Sequence, residues 1–111
     1  MDAVAGLEKL LADGRDSPTL RFALGTEYLK RERHETAIAH FLAAVEMDEG
    51  YSAAWKQLGK AQAALGRSED ARASYERGIA TAEKRGDQQA AREMRVFLRR
   101  LTRPDRSAGS D

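Results

Sequence analysis

The chain should fold as an all-α array of helical hairpins, about six helices in all, and three observations carry that expectation. A third of the residues are charged (33%), 6% are aromatic and only two are proline, a composition suited to helices with charged outer faces rather than to pleated strands. Apolar residues recur at helical spacing along most of the length. The sequence also repeats itself: Leu24-Gly25 returns as Leu58-Gly59, about 34 residues on, and the same offset pairs Ala37 with Ala71, Phe41 with Tyr75, Ala44 with Gly78, Arg33 with Arg67 and Glu35 with Glu69.

In chain order, Val4, Leu7, Leu10 and Leu11 form one apolar stripe over residues 3–13, stopped by Asp13-Gly14. Ser17-Pro18 opens the next helix, with serine able to cap and proline preset for the first turn. Leu20, Leu24 and Tyr28 mark its face, and Ala37, Ile38, Phe41, Leu42 and Val45 mark the face of its partner, giving a first repeat over 18–51. Ala54, Trp55, Leu58 and Leu65, then Ala71, Tyr75, Ile79 and Ala82, give the second over 52–85. Gly66 can close a helix in the left-handed conformation, and Ser68 with Glu69 and Asp70 can open the next. The equivalent turn of the first repeat has Glu32 and His34, so it should be the poorer one. Ala90, Ala91, Met94, Phe97, Leu98 and Leu101 predict a last, capping helix over 87–101, before Arg103-Pro104 discourages continuation. A single domain is expected over 1–103, with 104–111 disordered for want of anything apolar to bury.

Charge and composition also exclude several functions. Nineteen basic groups against 18 acidic leave a net +1, so no global field points to nucleic acid or an anionic membrane. The absence of cysteine removes disulfides, thiolate metal sites and cysteine nucleophiles, and fits a reducing compartment. The start, MDAVAGLEKLLADG, carries acids where a secretory signal needs a basic region, and no stretch approaches about 18 apolar residues, so a cytoplasmic location is expected.

The repeat resembles the tetratricopeptide repeat, whose signature is W-x2-L-G-x2-Y, then A-x3-F, then a proline. The second copy supplies Trp55, Leu58, Gly59, Ala71 and Tyr75, with Gln62 replacing the tyrosine and Glu83 the proline. The first supplies Leu24, Gly25, Tyr28, Ala37, Phe41 and Ala44, with Arg21 replacing the tryptophan and Glu49 the proline. The resemblance implies a right-handed α-α superhelix whose first helices line a concave groove that holds a partner's peptide or helix. Independently of any family, a glycine inside a helix costs about 1 kcal/mol against alanine, so Gly25 and Gly59 should mark places where paired helices touch.

Carried over to this chain, the inward positions are Thr19, Phe22, Thr26, Leu29 and Lys30, then Ala53, Lys56, Lys60, Ala63 and Ala64. Of these, Phe22, Thr26 and Leu29 are candidate contacts to a partner segment, and Lys30, Lys56 and Lys60 are candidate contacts to its acidic groups. Exposed helical lysines mostly only solvate a face, which is the competing reading. The asparagines that some family members use to hold a C-terminal carboxylate are missing here.

Other chemistry is weaker. His34 and His40, six apart on one helix, diverge in direction and have no thiolate or motif to help hold a metal. Arg85-Gly86-Asp87 reads as a turn between helices rather than as an adhesion tripeptide. Residues 92–106 hold six arginines against Glu93 and Asp105, which admits nucleic acid as a third reading, yet the single aromatic, Phe97, is needed for packing. No nucleophile motif, phosphate-cradling loop or carboxylate pair appears, so no enzyme activity, cofactor or small-molecule substrate is expected. The expected function is a small interaction module for an unidentified protein or peptide. The alternative is a self-associating assembly subunit that stacks its hairpin edges between copies, so the chain is expected to be a monomer or a weak homo-oligomer.

Overall fold

Punctuation in the sequence sets the helices of the computed structural model, which describes residues 2–102. In order they are α1 (Ala3–Ala12), α2 (Pro18–Lys30), α3 (His34–Met47), α4 (Ser52–Ala64), α5 (Ser68–Lys84) and α6 (Gln88–Thr102). The expected disorder of 104–111 concerns residues outside those described.

Three of the helix starts, those of α1, α2 and α6, are capped by a side chain. Asp2 accepts a hydrogen bond from the Val4 amide at 3.1 Å, Ser17 Oγ from Leu20 at 3.0 Å ahead of Pro18, and Asp87 Oδ1 from Ala90 at 3.0 Å. Asp87 therefore serves as helix-start chemistry in the Arg85-Gly86-Asp87 turn. α5 opens at Ser68 as the sequence suggests, with Glu69 and Asp70 in its first turn, while Arg67 takes the cap position without a side-chain bond. Arg33 stands in the same uncapped place before α3.

The helix ends share one backbone device. Gly14, Gly66 and Gly86 adopt φ of 83°, 76° and 76°, and at the corresponding place after α2 Glu32 is forced to φ 59°. A side chain in that region costs about 1–2 kcal/mol, which makes the first hairpin's turn the poorer one.

The six helices form two layers and a right-handed α-α superhelix. α3 packs between α2 and α4, and α5 between α4 and α6. Within one layer α2 touches α4 and α4 touches α6 directly, which makes α2, α4 and α6 the inner, shorter wall. α1, α3 and α5 form the outer wall, and α1 packs against α2.

The repeated residues make the core. Leu24, Ala37, Phe41, Ala44, Ala54, Leu58, Ala61 and Ala71 are 0–1% exposed. Gly25 and Gly59 lie beneath the Phe41 and Tyr75 rings, since a Cβ on either would stand 2.6 Å from a ring carbon. The remaining signature positions also face each other across each hairpin. Tyr28 stacks on His40 with centroids 5.5 Å apart, and at the matching place Gln62 Oε1 accepts a 2.6 Å bond from Ser74 Oγ. Arg67 pairs with Glu35, so two of the residues that recur at the repeat distance clamp one hairpin to the next.

α6 is placed as a first helix. α5 is 17 residues long against 14 for α3, so α6 starts 36 positions after α4 rather than 34. At that offset Met94, fully buried on Gly78, takes the place that Leu58 holds in α4.

Candidate functional site

The inner wall is the surface on which the sequence places its candidate binding residues, and its side chains prove to be engaged with one another. On α2, Phe22 is half-buried with its ring 5.8 Å from Phe41 and 5.0 Å from Tyr51, so it braces the first hairpin against the following loop. Leu29 packs on the same core. Thr26 encloses its hydroxyl, which has no hydrogen-bond partner. Lys30 is exposed and pairs with Glu27 at 3.3 Å.

On α4, Lys56 is only 24% exposed and its Nζ lies 3.1 Å from Glu93 Oε1 on α6. Lys60 is exposed and lies over the Phe97 ring, 5.6 Å from its centroid. The lysine pair thus forms two rungs across the α4/α6 seam. Sequence reasoning found the lysines but missed Glu93, Phe97 and Arg100, because it treated α6 as a cap outside the groove.

A cleft opens on either side of these rungs. One, of about 240 Å³, is lined by Ser52, Ala53, Lys56, Asp87, Ala90 and Glu93. The other, of about 280 Å³, lies toward the helix C-termini and is lined by Ala63, Tyr75, Phe97, Arg100 and Leu101. The second is apolar in its floor, with Arg100 6.0 Å from the Phe97 ring and Lys60 on the same ring. Burial pushes the Tyr75 phenol up to about 12, so it stays neutral in the physiological range.

The outer side holds two polar constellations. Trp55 donates from Nε1 to the Glu49 carbonyl at 2.9 Å, and the Arg77 guanidinium covers its ring at 4.9 Å. Thus Glu49, standing where the family pattern has proline, anchors the tryptophan through its backbone.

The second constellation joins α1, α2 and α3. Arg21, standing where the pattern has tryptophan, binds Asp16 through two bonds of 2.8 and 3.0 Å. It also donates to His40 Nδ1 at 3.2 Å, and because arginine can only donate, Nδ1 is the acceptor and Nε2 carries the proton. Nε2 faces Glu8 Oε1 at 3.8 Å, and that buried oxygen has no hydrogen-bond partner. Burial, then the Arg21 charge, hold the His40 pKa below its ordinary value, against weaker opposing pulls from Glu8 and Asp16. Among the described residues no group of three or more histidine, cysteine, aspartate and glutamate side chains could hold a metal.

Stacked helical hairpins with a continuous inner wall define a helical-repeat protein of the solenoid class. The tetratricopeptide-repeat family pattern matches residues 1–52 and 22–91, and the chain belongs to that family. It is 51% identical over 100 residues to the TPR repeat-containing protein PA0015 of Pseudomonas aeruginosa, spanning 90% of this chain and 95% of that protein. Among solved structures, the solution structure of protein BPP2914 from Bordetella parapertussis is similar at 43% identity and a TM-score of 0.83, over 99% of this chain and 96% of the other. The tetratricopeptide repeat domain protein of Salinibacter ruber, solved in solution, follows at 32% identity and a TM-score of 0.72, over 78% of this chain and 88% of that one. Proteins of this fold generally mediate protein–protein interaction and are generally non-enzymatic. Among the described residues no helix is long and apolar enough to cross a membrane.

Proposed function

We propose that the chain is a non-catalytic cytoplasmic adaptor that holds a segment of a partner protein along the inner wall of α2, α4 and α6. The single observation that carries the reading is the seam between α4 and α6. An apolar cleft floored by Tyr75, Phe97 and Leu101 lies beside the cations of Lys60 and Arg100. That arrangement suits a short segment with one large apolar side chain followed by an acidic group. The apolar group gains by leaving water, and the carboxylate completes the hydrogen bonding of cations already held over an aromatic face. Phe22, Thr26, Leu29 and Lys30 extend the same wall at its N-terminal end, with Thr26 offering its methyl group rather than its enclosed hydroxyl.

Charge reversal tests the reading, and the choice of lysine matters. Lys56→Glu would set a carboxylate against Glu93 and loosen α6, whereas Lys60→Glu changes an exposed side chain. Proteins retained from native-cell extract by the wild-type chain should be lost with Lys60→Glu while its helical circular dichroism is unchanged. Undiminished capture by the variant would move the site off this seam.

A further inference from the structure

On the outer side, beside Trp55, a cleft of about 270 Å³ opens between α5 and the loop that joins α3 to α4. It is lined by Glu49 and Gly50 of the loop and by Arg77, Thr81, Lys84 and Arg85, which the helical period brings onto one face at the C-terminal end of α5. Two of the three cations are held by uncharged groups. The Arg77 guanidinium lies over the Trp55 ring at 4.9 Å, and the ring is fixed in turn by its bond to the Glu49 carbonyl. The Arg85 guanidinium lies against Gly50, where a Cβ would run into it. Acidic groups satisfy little of this charge. Arg21, Arg31, Arg67 and Arg95 each bind a carboxylate of another segment. Among the described residues, in contrast, no carboxylate pairs with Arg77 or Lys84. Arg85 stands 3.9 Å from Asp48 Oδ1, an oxygen that already accepts from the Gly50 amide at 3.0 Å. Among the described lining residues only Glu49 carries a carboxylate, so the cleft keeps an excess of positive charge even with Asp48 counted.

We propose that this cleft binds a phosphoryl group. Three phosphoryl oxygens can each take a donor from Arg77, Lys84 or Arg85, whereas a carboxylate has two oxygens for three cations. The Thr81 hydroxyl, whose bond to the Glu49 carbonyl is long at 3.5 Å, supplies a further donor. Guanidiniums already held by Trp55 and Gly50 lose less freedom when a ligand arrives, which favours binding. The cleft uses neither α6 nor the inner wall, so it stands apart from the adaptor reading.

Trp55 is the only tryptophan of the chain, and with Arg77 on its ring it reports on the cleft directly. Titration of the full chain with inorganic phosphate at fixed ionic strength should change its fluorescence along a saturable curve, while chloride or acetate should not. The amides of Gly50 and Thr81 should shift along the same curve in nitrogen–proton spectra, a readout independent of the tryptophan. Lys84 is exposed, so Lys84→Gln should keep its helical circular dichroism and lose about tenfold in phosphate affinity, the worth of one charge-assisted contact. Arg15→Gln, which removes an exposed cation of the α1/α2 turn, should bind phosphate as the wild type does. A phosphoserine peptide that binds more tightly than inorganic phosphate identifies the group as one borne by a protein, and a peptide no tighter identifies free phosphate; both place a phosphoryl group in the cleft. Acetate binding as tightly as phosphate, an affinity unmoved by Lys84→Gln, or a response that never saturates overturns the proposal.

Discussion

Gly25→Ala should destabilise the protein, whereas Gly59→Ala should be close to neutral, although the two glycines hold equivalent places in the repeat. An alanine Cβ at position 25 would sit 2.6, 2.7 and 2.8 Å from three carbons of the Phe41 ring. Phe41 is 0% exposed and has the Phe22 ring 5.8 Å from its own, so it has little room to give way. Inserting a carbon into such a site costs about 1–3 kcal/mol, and alanine returns about 1 kcal/mol through helix propensity. With so little room the upper part of the range applies, leaving a net loss of about 1–2 kcal/mol, or roughly 4–8 °C in Tm for each kcal/mol in a domain this small. The clash at Gly59 is also 2.6 Å, but with Tyr75, which lines the cleft of about 280 Å³ and can turn into it. Urea unfolding followed by circular dichroism measures both. Combining Gly25→Ala with Phe41→Leu should remove much of the alanine penalty, since the two sites are coupled through one contact. An alanine at 25 that raises stability, or a penalty indifferent to Phe41→Leu, would refute the close-contact account of these glycines.

Three further expectations follow from particular residues. Glu32→Gly relieves a side chain held at φ 59° and should stabilise by about 1 kcal/mol, seen as a higher urea midpoint with an unchanged slope. His40 is held neutral in the folded state, with its pKa lowered from the usual 6.5, so its contribution is fully present above that value and is lost as pH falls through the depressed one. Stability should therefore decline on acidification below about pH 6.5, and His40→Gln should flatten that part of the profile. Trp55→Phe deletes the bond from Nε1 to the Glu49 carbonyl and weakens the Arg77 contact, which should cost about 1–2 kcal/mol by thermal unfolding.

The wall was legible in the sequence because packing imposes a period. Leu24, Gly25, Ala37 and Phe41, with Leu58, Gly59, Ala71 and Tyr75, each answer a demand for size that recurs with the hairpin, and together they determine an all-α fold. The groove was less legible because its contacts join different hairpins. Lys56 could be assigned to the inner face, but its partner Glu93 lies on a helix displaced by the longer α5, out of step with the period that revealed the rest. Lys60 reads from sequence as a solvated cation, and only the position of Phe97 turns it into part of an aromatic seam. The cluster of Arg21, His40, Glu8 and Asp16 left no signal either. Arg21 was visible only as a departure from the family's tryptophan, and a departure says nothing of what replaces the lost packing.

Among the described residues α1 packs on one helix, α2, and is otherwise tied only by Asp2 to Arg31 and by Glu8 beside His40 of α3. In an array where each element is stabilised by those next to it, opening is not uniform: it begins where neighbours are fewest and moves inward. The amides of α1 should therefore exchange with solvent through local opening that leaves α3 and α4 closed, giving the molecule a gradient of protection from its N-terminal end toward its centre. One end of a small repeat protein is thus held nearer to unfolding than its middle, and whatever settles on that end would be felt first as a slowing of exchange there.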